Sequence, residues 1–160
     1  MSNCCAPKTP FLPEQVLKAV EQIENLCSAS KNPVCTPSLQ ANTQFGIIMD
    51  MSTDGSILVI GAPTFDAKDG NGVEQSDSGG VFVFKRKQSF AACAVAKKSA
   101  SKYKLQQILV ATDPKSCANE VQAGDRFGDS VSVSGAGSRI VVGATAQDVA
   151  GFRRWFGVRV

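Results

Sequence analysis

The feature that most constrains the fold is an internal repeat, in which residues 45–63 match residues 127–145 without a gap at an offset of 82. Further aligned pairs keep their apolar character, as in Met49/Val131, Met51/Val133, Leu58/Ile140 and Ile60/Val142. A short strand-forming unit with two apolar faces cannot bury both by itself, so the repeat predicts copies that stack on one another. The identical pairs are Phe45/Phe127, Gly46/Gly128, Ser52/Ser134, Gly55/Gly137, Ser56/Ser138, Val59/Val141, Gly61/Gly143 and Ala62/Ala144.

Each copy has the pattern of a β-hairpin. In the first copy the turn 53–56, Thr-Asp-Gly-Ser, separates the partly alternating segment 47–52 from the apolar run 57–60. An Asp-Gly pair between two apolar runs favours a hairpin, because such turns need positive φ angles. Two further strands are predicted at 80–84 and 105–110, with a polar loop at 64–78 before them.

The shared positions have physical roles that suit stacked sheets. Phenylalanine is a large anchor that can pack between neighbouring sheets, and the glycine after it lets two backbones approach closely. Gly-Ala leaves room at the end of the second strand, where a following proline removes the next hydrogen-bond donor. We therefore assign structural roles to Phe45, Gly46, Gly61, Ala62, Pro63, Phe127, Gly128, Gly143 and Ala144.

Phe-Gly at 45–46 followed by Gly-Ala-Pro at 61–63 resembles the FG-GAP repeat, the blade unit of integrin α-chain propellers. The similarity extends over residues 44–146, through Asp-Ser-Gly-Gly-Val-Phe-Val-Phe at 77–84 and the predicted fourth strand. It implies an all-β fold, a partial β-propeller of about one and a half four-stranded antiparallel blades, where closed propellers use about 4–8. The second copy departs from the pattern, since it reads Gly-Ala-Thr at 143–145 and lacks the expected third strand after Gln147.

The resemblance and the repeat together divide the chain into three parts: an N-terminal segment, 1–40, a first blade, 41–113, and the start of a second blade with an atypical C-terminus, 114–160. The N-terminal segment is predicted to hold one amphipathic helix and a linker with Pro33 and Pro37. A helix that packs on the next domain is favoured over a partner-binding or membrane helix. The apolar face consists of Val16, Leu17, Val20, Ile23 and Leu26.

Composition excludes several classes of protein. A net charge of +3 is too small to indicate a nucleic-acid partner, and no run approaches the roughly 20 apolar residues of a transmembrane helix. No secretory signal is visible at the N-terminus, although the resemblance implies an extracellular or cell-surface location. The six cysteines suit either disulfides or free thiols.

Calcium is the candidate ligand, because integrin-like blades often carry Asp-x-Asp-x-Asp-Gly between the first two strands and oxygen ligands suit this cation. At those positions the first copy retains Asp50 and Asp54, whereas the second copy has no carboxylate. A loop richer in oxygen ligands contains Asp66, Asp69, Asn71 and Asp77. The alternative reading of that loop is an acidic surface loop without a cation, and no other cofactor is predicted.

Catalytic groupings are not evident. The Ser-Asp-Ser-Gly-Gly segment at 76–80 resembles a serine-protease nucleophile segment, but the sequence has no histidine to act as its general base. We therefore expect a non-enzymatic, adhesion-type module that recognises a protein or glycan. Further blades of its own full-length chain are expected to pack against it. The alternatives are a truncated fragment without independent activity and part of a propeller-scaffold enzyme whose site lies outside this chain.

Overall fold

The computed structural model describes residues 42–86, 102–111, 121–149 and 152–159, and in these residues the only regular elements are β-strands. The predicted N-terminal helix and all six cysteines lie outside the described residues. The strands are β1 (Ile48–Met51), β2 (Ile57–Ala62), β3 (Ala67–Lys68), β4 (Glu74–Gln75), β5 (Gly80–Arg86), β6 (Tyr103–Leu109), β7 (Phe127–Val133), β8 (Arg139–Val149) and β9 (Phe152–Arg159).

The first sheet is the predicted four-stranded antiparallel unit, in the order β1-β2-β5-β6. Met51 is opposite Leu58 across the first hairpin, and Val59 is opposite Val83 in the next pair of strands. The Asp-Gly turn forms as predicted, with Gly55 at a φ of 67°. Pro63 directly follows β2, as expected for a residue that cannot donate to the ladder.

The second sheet has the order β7-β8-β9 and is also antiparallel. Its first two strands repeat the β1–β2 hairpin, with Val131 opposite Val142. The third strand, Phe152–Arg159, pairs along β8 from Arg139 to Val149. A strand therefore forms where the sequence does not repeat the Gly-Gly-Val-Phe-Val-Phe of residues 79–84.

The two hairpin turns also share their hydrogen bonds, which explains why the serine is repeated. The Oγ of Ser52 accepts from the N–H of Ile57 at 3.0 Å, and the Oγ of Ser134 accepts from the N–H of Arg139 at 3.0 Å. Each serine thus fixes the start of the strand five residues later.

The two sheets stack face to face, and the first sheet is apolar on both sides. One core cluster lies between the sheets: Ile57, Val59, Val81, Val83, Leu109, Ala111, Phe127, Ile140, Val142 and Ala144. The other covers the opposite side of the first sheet: Ile60, Ala62, Phe65, Ala67, Phe82, Phe84, Leu105, Ile108, Val110 and Val121.

Candidate functional site

The most elaborate surface feature is the connection between β2 and β5, which we call the β2–β5 loop (residues 63–79). It folds back on itself through the two-residue strands β3 and β4, with Ala67 opposite Gln75. Most hairpin loops are 2–5 residues long, and longer ordered loops are commonly functional. This hairpin within the loop was not predicted, because neither short strand has an alternating apolar pattern.

A buried serine closes the base of the loop. The Oγ of Ser78 accepts from the N–H of Ala67 at 2.9 Å and lies 3.3 Å from the carbonyl oxygen of Phe65. Phe65 is buried below it and meets Phe82 edge-on, with ring centroids 5.7 Å apart. The base of the loop is therefore part of the core of the first sheet.

Asp69 organises the tip, which we define as residues 69–74. Its Oδ1 accepts from the N–H groups of Asn71 and Val73, both at 2.9 Å, and its Oδ2 accepts from the side-chain amide of Gln75 at 3.0 Å. These bonds, led by the one from Val73, hold the pKa of the Asp69 carboxyl below its ordinary value. The same side chain that was predicted as a calcium ligand thus serves as the internal cap of a turn.

The other predicted ligands of this loop have separate environments. Asp66 is buried, and its Oδ1 accepts from the N–H of Asp77 at 2.8 Å, whereas Asn71 and Asp77 are exposed. Across the described residues, no three histidine, cysteine or acidic side chains converge in a way that could hold a metal ion. Calcium binding by this loop stays a prediction.

Asp50 and Asp54, the weaker calcium candidates, have different hydrogen-bond partners. Asp54 Oδ1 accepts from the Oγ of Ser52 at 2.7 Å and from the N–H of Ser56 at 3.0 Å, within the turn. Asp50 Oδ2 accepts from the N–H of Val133 at 2.8 Å, in the second sheet. Hydrogen bonding lowers the pKa of both carboxyls, chiefly through Val133 for Asp50 and through Ser52 for Asp54.

The second half of the β2–β5 loop also holds the second repeat in place. The N–H groups of Gly124, Arg126 and Phe127 donate to the carbonyl oxygens of residues 76, 77 and 78 at 2.8, 3.1 and 2.9 Å. The tip is the longest exposed stretch of the loop. Val73 is 56% exposed there, and residues 70–74 are all exposed.

Val73 is the residue that sequence reasoning overlooked. The sequence feature that could have revealed it is a β-branched apolar residue within a polar loop. A solvated turn does not require an apolar side chain at that position. The tip therefore presents an apolar side chain beside the exposed carboxylate of Glu74, on a backbone fixed by Asp69.

In the described part of the chain, no helix has the length and apolar character that crossing a bilayer requires. Comparison of the sequence with protein-family models and with curated proteins gave no match.

Proposed function

We propose that the chain is a non-enzymatic binding module, a segment of an FG-GAP-type propeller, in which the tip of the β2–β5 loop recognises a protein ligand. The stacked, repeated sheets and the resemblance of residues 44–146 to FG-GAP blades support the propeller part of this proposal. The proposal that the chain recognises a ligand rests on the β2–β5 loop.

The observation that carries the proposal is that the tip is exposed yet internally fixed. The N–H groups of Asn71 and Val73 are both held by Asp69, and Asp69 donates its own N–H to the carbonyl oxygen of Val73 at 2.9 Å. A loop that is already ordered loses less conformational entropy when it binds, which raises affinity. Binding loops on rigid sheets are a common arrangement in proteins.

The chemistry of the tip favours a protein over a glycan. An exposed branched side chain, Val73, can enter a small apolar pocket, and Glu74 adds a negative charge next to it. The loop also exposes the carboxylate of Asp77. Charge complementarity therefore calls for a partner surface with an apolar pocket and a basic rim.

The test uses the full chain immobilised as bait, with bound proteins identified from the source cells and the same bait applied to a glycan array. Val73→Ser and Glu74→Lys should each abolish capture of the specific protein partner. The matched control is Val141→Ser, an exposed valine on the second sheet away from the loop, which should leave capture unchanged.

Capture that is equal for the wild-type chain and both tip variants would overturn the proposal. If the wild-type chain captures no protein but binds a glycan on the array, and the tip variants lose that glycan binding, the ligand of the tip is a glycan and not a protein. Circular dichroism of each variant shows that the change lies in recognition and not in folding.

A further inference from the structure

The hydroxyl of Tyr103 lies between two acceptors of different chemistry. Its Oη donates to the carbonyl oxygen of Gly55 at 2.8 Å and lies 3.2 Å from the Sδ of Met51. A phenol has a single proton, and a thioether sulfur is only a weak acceptor. The proton therefore goes to Gly55 while Met51 is a thioether, because 2.8 Å is the usual length of an O–H···O bond.

The turn between β1 and β2 packs closely on this group. A Cβ atom on Gly55 would lie 3.0 Å from Nη2 of Arg86, 3.8 Å from the Sδ of Met51 and 3.9 Å from the Oη of Tyr103. The guanidinium carbon of Arg86 lies 5.1 Å from the centroid of the Tyr103 ring, within the range of a cation–π contact. The ring is therefore held from one side, and its hydroxyl stays within reach of both acceptors.

Met51 is accessible to small molecules in solution. It is 52% exposed, and Met49, two residues earlier in the same strand, is 57% exposed. Oxidants convert methionine to its sulfoxide, and methionine sulfoxide reductases reverse the change. No hydrogen bond to the sulfur of Met49 is found within the described part of the chain. The two methionines therefore share their exposure and differ in their contact with Tyr103.

The same turn contacts the second sheet. The N–H of Thr53 donates to the carbonyl oxygen of Gly135 at 3.0 Å, and the N–H of Gly55 donates to the carbonyl oxygen of Ser52 at 2.8 Å. The turn is thus bonded to Tyr103 through Gly55 and to the second sheet through Thr53. A change at Gly55 is two residues away from a hydrogen bond between the sheets.

We propose that Met51 is a reversible oxidation site for a hydroperoxide, and that its sulfoxide takes the hydroxyl proton of Tyr103 away from Gly55. In the oxidation, the sulfur attacks the terminal oxygen of the peroxide, and an S–O bond forms as the O–O bond breaks. The second oxygen leaves as water or an alcohol, with the proton that the first oxygen carried. Sulfur loses two electrons and the peroxide gains two, so the step needs no other reactant.

The consequence for the turn follows from the number of protons. A sulfoxide is polar, and its oxygen is a stronger acceptor than the thioether sulfur to which it is added. Since Tyr103 has one hydroxyl proton for two acceptors, the carbonyl of Gly55 loses its bond when the sulfoxide accepts it. The loss of one such bond corresponds to about a two- to tenfold change in the opening equilibrium of the turn. Oxidation of Met51 therefore loosens the turn, and oxidation of Met49 does not.

Two matched variants of the full chain test this proposal, with hydrogen peroxide as the probe. Met49→Leu keeps Met51, and Met51→Leu keeps Met49; both changes nearly conserve side-chain volume. Peptide mass mapping measures the oxidation of each methionine. The readouts are the carbon-13 shift of a labelled Gly55 carbonyl, the ring resonances of Tyr103, which is the single tyrosine of the sequence, and hydrogen exchange at the amide of Thr53.

In oxidised Met49→Leu, the Gly55 and Tyr103 signals should shift and the amide of Thr53 should exchange about two- to tenfold faster. Methionine sulfoxide reductases should reverse these changes. Oxidised Met51→Leu should show none of them. The cysteines and Met1 are common to both variants, so the difference between the variants reports the sulfur of Met51.

Tyr103→Phe removes the shared proton, so oxidation of Met51 in that variant should leave the Gly55 signal unchanged. The proposal is overturned if the Met51 sulfoxide forms without a change in the Gly55 and Tyr103 signals. It is also overturned if oxidised Met49 produces the same change, or if Met51 stays reduced while Met49 is oxidised.

Wild-type chain separated by chromatography into its singly oxidised forms gives the same comparison if a variant does not fold. Ligand capture by the β2–β5 loop does not enter this experiment, so the two proposals succeed or fail separately.

Discussion

Gly61 lies directly against Gly128, so the glycine that ends the second strand of one repeat contacts the glycine that follows the phenylalanine of the next. A Cβ atom on Gly61 would lie 2.2 Å from the carbonyl oxygen of Gly128 and 2.4 Å from Cγ2 of Ile48. The Gly128 side is also too close for a side chain, since a Cβ there would lie 2.7 Å from the carbonyl oxygen of Gly80. The two glycines of the motif therefore belong to one contact between sheets.

Gly61→Ala should lower the free energy of unfolding by about 2–3 kcal/mol, because the added methyl must push two backbones apart in a packed site. Urea denaturation at low protein concentration measures this loss. The control is Gln107→Ala at an exposed residue of β6, which should stay within about 0.5 kcal/mol of wild type. A Gly61→Ala variant as stable as the control would show that the sheets are not this close.

Ser52→Ala should cost about 1–3 kcal/mol, because it leaves the buried N–H of Ile57 without its acceptor. The matched substitution in the other repeat, Ser134→Ala, should cost less, since the N–H of Arg139 is exposed and water can replace the serine. Thermal unfolding of the two variants side by side gives the comparison. Equal losses would contradict the difference in burial between the two turns.

Asp50→Asn should cost about 1 kcal/mol at neutral pH, the low end for a hydrogen bond to a charged group, because the carboxylate is partly solvated. The folded protein lowers the pKa of Asp50, chiefly through the N–H of Val133. Its contribution is therefore complete above the pKa of the unfolded chain and disappears as the pH falls through the lower, folded pKa.

The lowered pKa of Asp50 sets how the stability difference between wild type and Asp50→Asn depends on pH. Wild type and Asp50→Asn should differ in urea midpoint at pH 7, and the difference should shrink in acid as Asp50 becomes protonated. A difference that grows toward acid pH would mean that the carboxylate does not join the two sheets in its ionised form.

Phe127→Ala should lower stability by about 3–5 kcal/mol, as expected for a buried aromatic residue between two sheets. Phe45→Ala, at the same position of the first repeat, should cost distinctly less, because Phe45 is only partly buried. It still contacts Phe82 edge-on at a centroid distance of 5.1 Å, so some loss is expected. Calorimetric unfolding of the two variants side by side gives the comparison, and equal losses would contradict the difference in burial between the two phenylalanines.

The sequence predicted the units that depend on local pattern. Asp-Gly at 54–55 and the apolar run after it were sufficient for the β1–β2 hairpin, and the 82-residue offset was sufficient for a second one. The strand Phe152–Arg159 was missed, because pairing along β8 specifies it and its sequence does not repeat the Gly-Gly-Val-Phe-Val-Phe of residues 79–84.

The roles of polar residues were harder to predict than the strands. Asp50 is a candidate cation ligand by its spacing, which stays a prediction, and the fold adds a hydrogen bond from the N–H of Val133, 83 residues away in the chain, to its carboxylate. Asp69 bonds to backbone groups two and four residues later, and those bonds require the tight tip that only the folded loop provides. Sequence spacing alone does not separate such caps from metal ligands.

Contact between the two stacked sheets can be measured directly by NMR. A Cβ on Gly128 would lie 2.9 Å from Cγ2 of Val81, so a nuclear Overhauser effect should connect the Val81 methyl group with the Hα protons of Gly128. We expect this cross-peak in a dilute, methyl-labelled sample. Its absence, with both resonances assigned and the Val81 methyl showing contacts only within its own sheet, would contradict the stacking of the two repeats.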